Sequence, residues 1–151
     1  MSVHDLKKKP LSSMTDDELR ELLLKAVDLQ RADRQENQIL YYQPVSSRAM
    51  QMHECEARVI GVGGGNGSSK TTTALVELVM CATGVFPQRL QHLAEAKWRG
   101  PIQIRVVCES LTTVLHPVIL PKLQWWRWSG TDQPGGDKGH WGWIPKTSLI
   151  D

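Results

Sequence analysis

A glycine-rich loop followed by lysine and threonine holds the residues best suited to chemistry in this sequence. The loop is Gly64-Gly65-Asn66-Gly67-Ser68-Ser69, and Lys70-Thr71 follow directly. Glycines let backbone N–H groups wrap closely around an anion, and a helix that begins at the lysine points its positive end at the same place. Lys70 would then reach the β- and γ-phosphates of a nucleotide, and the Thr71 hydroxyl would hold Mg²⁺.

The loop departs from the strict phosphate-loop pattern at one position. That pattern is Gly, four residues, Gly, Lys and Ser or Thr, so Ser69 stands where the second glycine belongs. Serine is small, and an open loop is feasible if φ at residue 69 is negative. A flexible Gly/Ser turn is the alternative interpretation, but the lysine and threonine at the helix start favour phosphate binding.

The flanking segments indicate the elements that would position this loop. The apolar run over residues 59–62 predicts a buried strand before it, and apolar residues at helical spacing predict a helix after it that ends at Gly84 and Pro87. Residues 102–108 predict a second buried strand, with Glu109 at its carboxyl edge. Strand, helix and strand with a long connection imply a parallel βαβ unit. Glu109 would then lie near the loop and assist with water or metal.

The amino-terminal segment predicts a separate helix. Thr15 and Glu18 have the spacing of a capping box, and the apolar stripe that follows extends to an end between Arg34 and Leu40. Pro44 excludes continuation of that helix. We expect a tail and amphipathic helix over residues 1–40, which serves core or partner packing, and a nucleotide-binding domain over residues 41–151.

Polar residues ahead of the loop have two interpretations. Gln43, Gln51 and His53 could read the edge of an adenine base, because an amide both donates and accepts hydrogen bonds. They could equally be exposed polar residues on a short helix around residues 48–53. Glu77, inside the helix after the loop, is expected to be exposed.

Tryptophan is concentrated near the carboxyl end, where Trp125, Trp126, Trp128, Trp141 and Trp143 occur. Tryptophans among basic residues can stack on nucleic-acid bases. They can also form a packing cluster beneath loops. Packing is favoured, because the net charge of +2 gives no basic excess.

Composition excludes several broad classes. With 151 residues, 40% hydrophobic and 23% charged, the chain has ordinary globular composition and the size of one domain. Its three cysteines lack paired spacing, which favours free thiols in a reducing compartment over a disulfide framework or a zinc site. The sequence has neither a run of about 18 apolar residues nor the apolar core of a signal peptide. We expect a cytoplasmic protein without a membrane segment.

The sequence resembles the large subunit of tailed-phage terminases, the ATPases that package viral DNA. The resemblance covers residues 41–146, and the Gly-Gly-Asn loop is its most specific part. The residues that carry it are Tyr42, Pro44, His53, Ala57-Arg58, residues 64–71, Glu77, Thr83-Gly84 and Pro87, with weaker support from Arg105-Val106-Val107, Leu120-Pro121 and Gly142-Trp143-Ile144-Pro145.

This resemblance implies an α/β fold, an incomplete P-loop NTPase-type parallel sheet with flanking helices, preceded by the amphipathic helix. It implies ATP and Mg²⁺ as cofactors, and double-stranded DNA and other motor subunits as partners. Residues 64–71 would bind the phosphates, with Lys70 as a catalytic contact and Thr71 as a ligand of the metal. The family's adenine-reading glutamine usually lies where this chain has Ala49, so Gln51 would act as its stand-in. Arg58 or a neighbouring subunit would supply the cation that many members carry where this chain has Gly67.

The chain is expected to be the front part of such a motor, whether a split gene product, a remnant or a fragment. No apolar strand ending in paired acids follows residue 109, and no acidic cluster for a two-metal nuclease occurs. Nucleotide binding is therefore expected ahead of hydrolysis, with a second copy or a complementing chain as a possible partner. A non-enzymatic interaction or DNA-binding module with a relic loop is the main alternative, and a small P-loop kinase is a more remote one.

Overall fold

A computed structural model describes residues 11–57, 59–100, 102–127 and 139–149. The chain divides into two compact units, residues 1–34 and residues 35–151. This division lies six residues before the expected boundary at residue 40, inside the first long helix. Every residue discussed as a candidate site below belongs to the second unit.

Helix α1, Asp16–Glu36, begins at the predicted capping box. The Thr15 N–H donates to Glu18 Oε2 at 2.9 Å, and the Glu18 N–H donates to Thr15 Oγ1 at 3.4 Å. Lys25 forms an ion pair with Glu21 one turn earlier, and this pair lowers the pKa of Glu21. No residue of α1 is buried, so the predicted apolar stripe lies open to solvent. Among the described residues, no helix has the length and apolar character needed to cross a membrane.

The second unit is built mainly from short helices. Helix α2, Ser47–Glu54, is preceded by Ser46, whose side chain caps it by accepting a hydrogen bond from the Ala49 N–H at 3.2 Å. The helices of this unit are 3₁₀ Gln38–Tyr41, α2 Ser47–Glu54, α3 Lys70–Thr83, 3₁₀ Gln88–Leu93, α4 Ala94–Lys97, the π-helix Leu111–Ile119, α5 Leu120–Leu123 and 3₁₀ Lys146–Ser148.

The core forms around α3. Its buried apolar cluster consists of Ile39, Tyr42, Val76, Val79, Met80, Phe86 and Leu90. Helix α3 ends at Gly84, whose φ of 72° is the left-handed conformation that lets its N–H donate to the Met80 carbonyl at 2.9 Å. A Cβ at Gly84 would lie 2.7 Å from the Trp98 indole, so the glycine is also required by that close packing.

The predicted parallel sheet is wrong for the described part of the chain. Neither residues 59–62 nor residues 102–108 form a strand, and Val59 and Val107 are 87% and 85% exposed. The one described sheet is an antiparallel pair, β1 Trp125–Arg127 with β2 Gly139–Trp141. A strand is stable only when neighbours accept its backbone hydrogen bonds, and neither apolar run has a described ladder partner. The predicted P-loop NTPase-type α/β fold is therefore replaced by a helical unit with a two-stranded ribbon.

The carboxyl-terminal segment is joined to α5 through its backbone. The N–H groups of Gly142, Trp143 and Ile144 donate to the carbonyls of Gln124, Lys122 and Leu123 at 2.8, 2.8 and 3.0 Å. A Cβ at residue 142 would lie 2.4 Å from the Lys122 carbonyl oxygen. Glycine at this position therefore permits the close approach of the two backbones.

Candidate phosphate loop and buried polar network

The glycine-rich loop leads directly into α3, as predicted, although no strand precedes it. Residues 61–68 are exposed, and α3 begins at Lys70. Ser69 precedes the helix with φ 58° and ψ 15°, and Gly67 has φ 81°. The condition that φ at residue 69 be negative is therefore not met. Serine occupies a left-handed conformation here, which explains why glycine is the residue better suited to this position.

The helix end that faces the loop keeps its positive character. No side chain caps the first turn of α3, and that turn contains no acidic residue. The first N–H groups of a helix lack partners within the helix, and they carry the positive end of its dipole. This end of α3 therefore favours an anion.

Lys70 folds back over the loop instead of extending into solvent. Its Nζ donates hydrogen bonds to the carbonyl oxygens of Gly64 and Gly65, both at 2.6 Å, and to Ser68 Oγ at 3.1 Å. A Cβ on Gly64 would lie 3.5 Å from Lys70 Cδ and 3.1 Å from Ser68 Oγ. The loop thus surrounds the ammonium group with backbone and hydroxyl oxygens.

Thr71 and Thr73, two of the three threonines in the first turn of α3, have different surroundings. Thr71, the predicted magnesium ligand, is exposed on the side of the loop. Thr73 is only 3% exposed, and it fixes the Ser69 carbonyl with two hydrogen bonds, from its N–H at 2.9 Å and from its hydroxyl at 3.0 Å. Thr71 is therefore open to a ligand, whereas Thr73 anchors the residue before the helix.

The remaining predicted site residues are not brought to the loop. Gln51 lies in a groove of about 450 Å³ lined by Pro44, Ser46, Ser47, Met50, Gln51, Glu54 and Arg89, which includes no loop residue. Arg58, the predicted catalytic cation, lies outside the described residues. Glu109 is exposed at a bend, and no described hydrogen bond joins it to the loop. Asn66 is exposed within the loop.

A buried polar network lies further along α3, around Glu77. His53 has no exposed surface; its Nε2 lies 3.0 Å from the Tyr42 hydroxyl and its Nδ1 lies 2.7 Å from Glu77 Oε2. The second carboxylate oxygen of Glu77 accepts a hydrogen bond from Lys97. Glu77 was expected to be exposed, but only 16% of its side chain is, because α3 turns it toward α2 and α4.

The charges of this network compensate one another. Burial alone would raise the pKa of Glu77, but the hydrogen bonds from His53 and Lys97 and their charges outweigh it, so the pKa lies below its ordinary value. An ionised Glu77 only accepts hydrogen bonds, so Nδ1 of His53 carries a proton. Burial raises the pKa of Tyr42; a hydrogen bond with Thr73 opposes this rise and the charge of Glu77 adds to it.

A cavity of about 500 Å³ lies beside the network. Glu77, Lys97, Arg99, Cys55 and Cys81 contribute to its lining, together with Ile60 and Leu93. Burial raises the pKa of the Cys81 thiol, and Glu77 adds to the rise. This keeps the thiol protonated and makes it a poor nucleophile. All three cysteines are free, and the described residues contain no cluster of three or more metal-ligating side chains.

Three tryptophans of the carboxyl-terminal part, Trp125, Trp141 and Trp143, pack within the protein. Trp125 and Trp141 meet edge to face with ring centroids 5.2 Å apart, and Trp143 meets Tyr42 in the same way at 5.5 Å. Trp125 is 6% exposed. Trp128 lies outside the described residues. These three rings are occupied by intramolecular packing, which is the interpretation that the sequence favoured.

Sequence reasoning missed the network as a unit. Tyr42 was noted only as a residue that carries the terminase resemblance, His53 also as a candidate reader of an adenine edge, and Glu77 also as a helix residue expected to be exposed. Lys97 was not noted. One signal was available, since Glu77 lies four residues after Thr73 on a helix whose neighbouring positions are apolar. A carboxylate on that face of the helix requires partners when it is buried.

The chain matches no protein-family model, no curated protein and no solved structure.

Proposed function

We propose that this chain binds the phosphates of Mg²⁺-ATP at residues 64–71, as the amino-terminal part of a DNA-packaging motor similar to terminase large subunits. The observation that supports phosphate binding is the position of Lys70. Its ammonium group lies within the glycine loop, bonded to Gly64 and Gly65, at the uncapped start of α3.

The contacts of Lys70 explain how an anion would enter. A phosphate oxygen is charged and therefore a stronger acceptor for an ammonium group than a neutral carbonyl. The ligand would replace one or more of the Gly64, Gly65 and Ser68 contacts while the start of α3 contributes its N–H groups and its dipole. Since the loop is exposed, this exchange requires no opening of the core.

The choice of ATP and Mg²⁺ has weaker support than the phosphate site. Thr71 is exposed next to Lys70, where its hydroxyl suits a magnesium ion that bridges two phosphates. The adenine and the motor are proposed from the terminase resemblance. Hydrolysis is not part of the proposal, because the first turn of α3 contains no acidic residue.

Titration calorimetry with Mg²⁺-ATP tests the phosphate site. Lys70→Ala should weaken binding by about 10- to 100-fold, as expected for loss of a charge-assisted contact. Lys146→Ala is the matched control, because Lys146 is exposed and pairs with Glu36; it should leave the affinity unchanged. Equal affinities of wild type and Lys70→Ala would refute the role of the loop.

A second titration distinguishes the non-enzymatic alternative. If the chain is a DNA-binding module with a relic loop, its affinity for duplex DNA should fall steeply with salt and be the same with and without nucleotide. Lys70→Ala would then leave DNA binding unchanged. The packing of Trp125, Trp141 and Trp143 within the protein gives no support to base stacking by these rings.

A further inference from the structure

Thr73 fixes the residue that precedes α3 from inside the core. It is 3% exposed. Its N–H and its hydroxyl both donate to the carbonyl of Ser69, at 2.9 and 3.0 Å. A buried side chain thus holds the backbone at the end of the loop.

We infer that Thr73 is a positioning residue that sets the orientation of the Ser69–Lys70 peptide for the anion. This inference rests on the proposed phosphate site. A peptide group is planar and trans, so its C=O and N–H point in opposite directions. Because Thr73 holds the Ser69 carbonyl along the helix, the Lys70 N–H points away from the helix start, toward the loop.

The conformation of Ser69 makes such an anchor necessary. A serine at φ 58° is in the left-handed region, which is unfavourable for a residue with a Cβ. Two hydrogen bonds from Thr73 to one carbonyl oppose relaxation of this residue.

Substitutions of single hydroxyl groups test this inference with little change of shape. Thr73→Val should weaken Mg²⁺-ATP binding by about 3- to 10-fold, the range expected for one net hydrogen bond. Thr73→Ser keeps the hydroxyl and should retain most of the affinity. Thr83→Val is the matched control, since Thr83 donates to the Val79 carbonyl at 2.8 Å at the far end of the same helix. It should reduce stability similarly without changing affinity.

Backbone amide chemical shifts and hydrogen exchange of residues 64–71, measured without nucleotide, provide an independent measurement. Thr73→Val should alter these amides, above all that of Lys70, and Thr83→Val should not. Loop amides in Thr73→Val identical to wild type would overturn the inference, whatever the affinities are. Altered amides with wild-type affinity would overturn it as well. If wild type binds no Mg²⁺-ATP, the proposed function fails, whereas the amide data still decide whether Thr73 positions the loop.

Discussion

The Nδ1 of His53 lies 2.7 Å from Oε2 of Glu77, and this pair joins helices α2 and α3 inside the second unit. His53 has no exposed surface, and Glu77 is also bound by Lys97. Breaking such a pair by removing one partner leaves the other group buried without compensation. The pair is therefore expected to contribute strongly to stability.

Replacement of His53 by alanine tests that contribution. The substitution creates a cavity and leaves the Tyr42 hydroxyl and one oxygen of Glu77 without their partner, so the free energy of unfolding should fall by about 2–4 kcal/mol. Urea denaturation monitored by circular dichroism measures it. His92→Ala, at an exposed histidine of the 3₁₀ helix Gln88–Leu93, should change stability by less than about 0.5 kcal/mol. Similar losses of stability in both variants would contradict the expected contribution of the buried His53–Glu77 pair.

The lowered pKa of Glu77 predicts a pH dependence of stability. The unfolded carboxyl has its ordinary pKa of 4.5, and the folded one lies below it. The contribution of Glu77 is therefore fully present above pH 4.5 and is lost as the pH falls through the folded pKa. In denaturation series from pH 6 down to about pH 3, the free energy of unfolding should depend less steeply on pH for Glu77→Gln than for wild type. Glu95→Gln, at an exposed carboxyl of α4, should keep the wild-type slope.

Ser69→Gly should stabilise the protein. Glycine adopts the left-handed conformation of residue 69 without the Cβ penalty, but it has more freedom when unfolded, so the net gain is up to about 1 kcal/mol. Ser68→Gly is the comparison, since Ser68 has no positive φ to relieve and accepts a hydrogen bond from Lys70. This variant should lose stability. Thermal unfolding of the two variants gives the sign of each change in stability. A destabilised Ser69→Gly would contradict the left-handed conformation of residue 69.

Gly84→Ala should destabilise the protein for two reasons, a strained backbone and a steric clash with Trp98. The φ of 72° costs about 1 kcal/mol for alanine, and overlap of its Cβ with the Trp98 indole adds about 1–3 kcal/mol. Gly100→Ala isolates the backbone part, because residue 100 has φ 103° and nothing within 4 Å of an added Cβ. Adding Trp98→Ala to Gly84→Ala should recover the stability that is lost through the clash with the indole. A double-mutant cycle by chemical denaturation measures this coupling.

Local signals allowed correct prediction of several helices. The capping box of Thr15 and Glu18 located the start of α1, and Gly84 located the end of α3, because caps are short-range features set by neighbouring residues. The strands were wrong because residues 59–62 and 102–108 have the composition of buried strands, but a ladder depends on partners distant in sequence.

The candidate site was predictable only in part. The lysine and threonine at the start of α3 allowed the position of the loop to be predicted, because the residues suited to phosphate binding lie at the helix boundary. The network of Tyr42, His53 and Glu77 depends on residues far apart in sequence, and the two members of its central pair are separated by 24 in residue number. One sequence does not show which distant residue pairs with Glu77. The left-handed Ser69 was also missed, because serine was assumed to avoid that conformation.

The two apolar runs that form no strand have a consequence for handling the protein in solution. Val59, Ile60, Ile102 and Val107 present β-branched side chains to water, and segments of this kind promote intermolecular strand pairing. A net charge of +2 provides little electrostatic repulsion between molecules. Arg105 interrupts the second run and acts as a gatekeeper against aggregation, whereas the first described run, residues 59–62, contains no charged residue and is the more aggregation-prone surface.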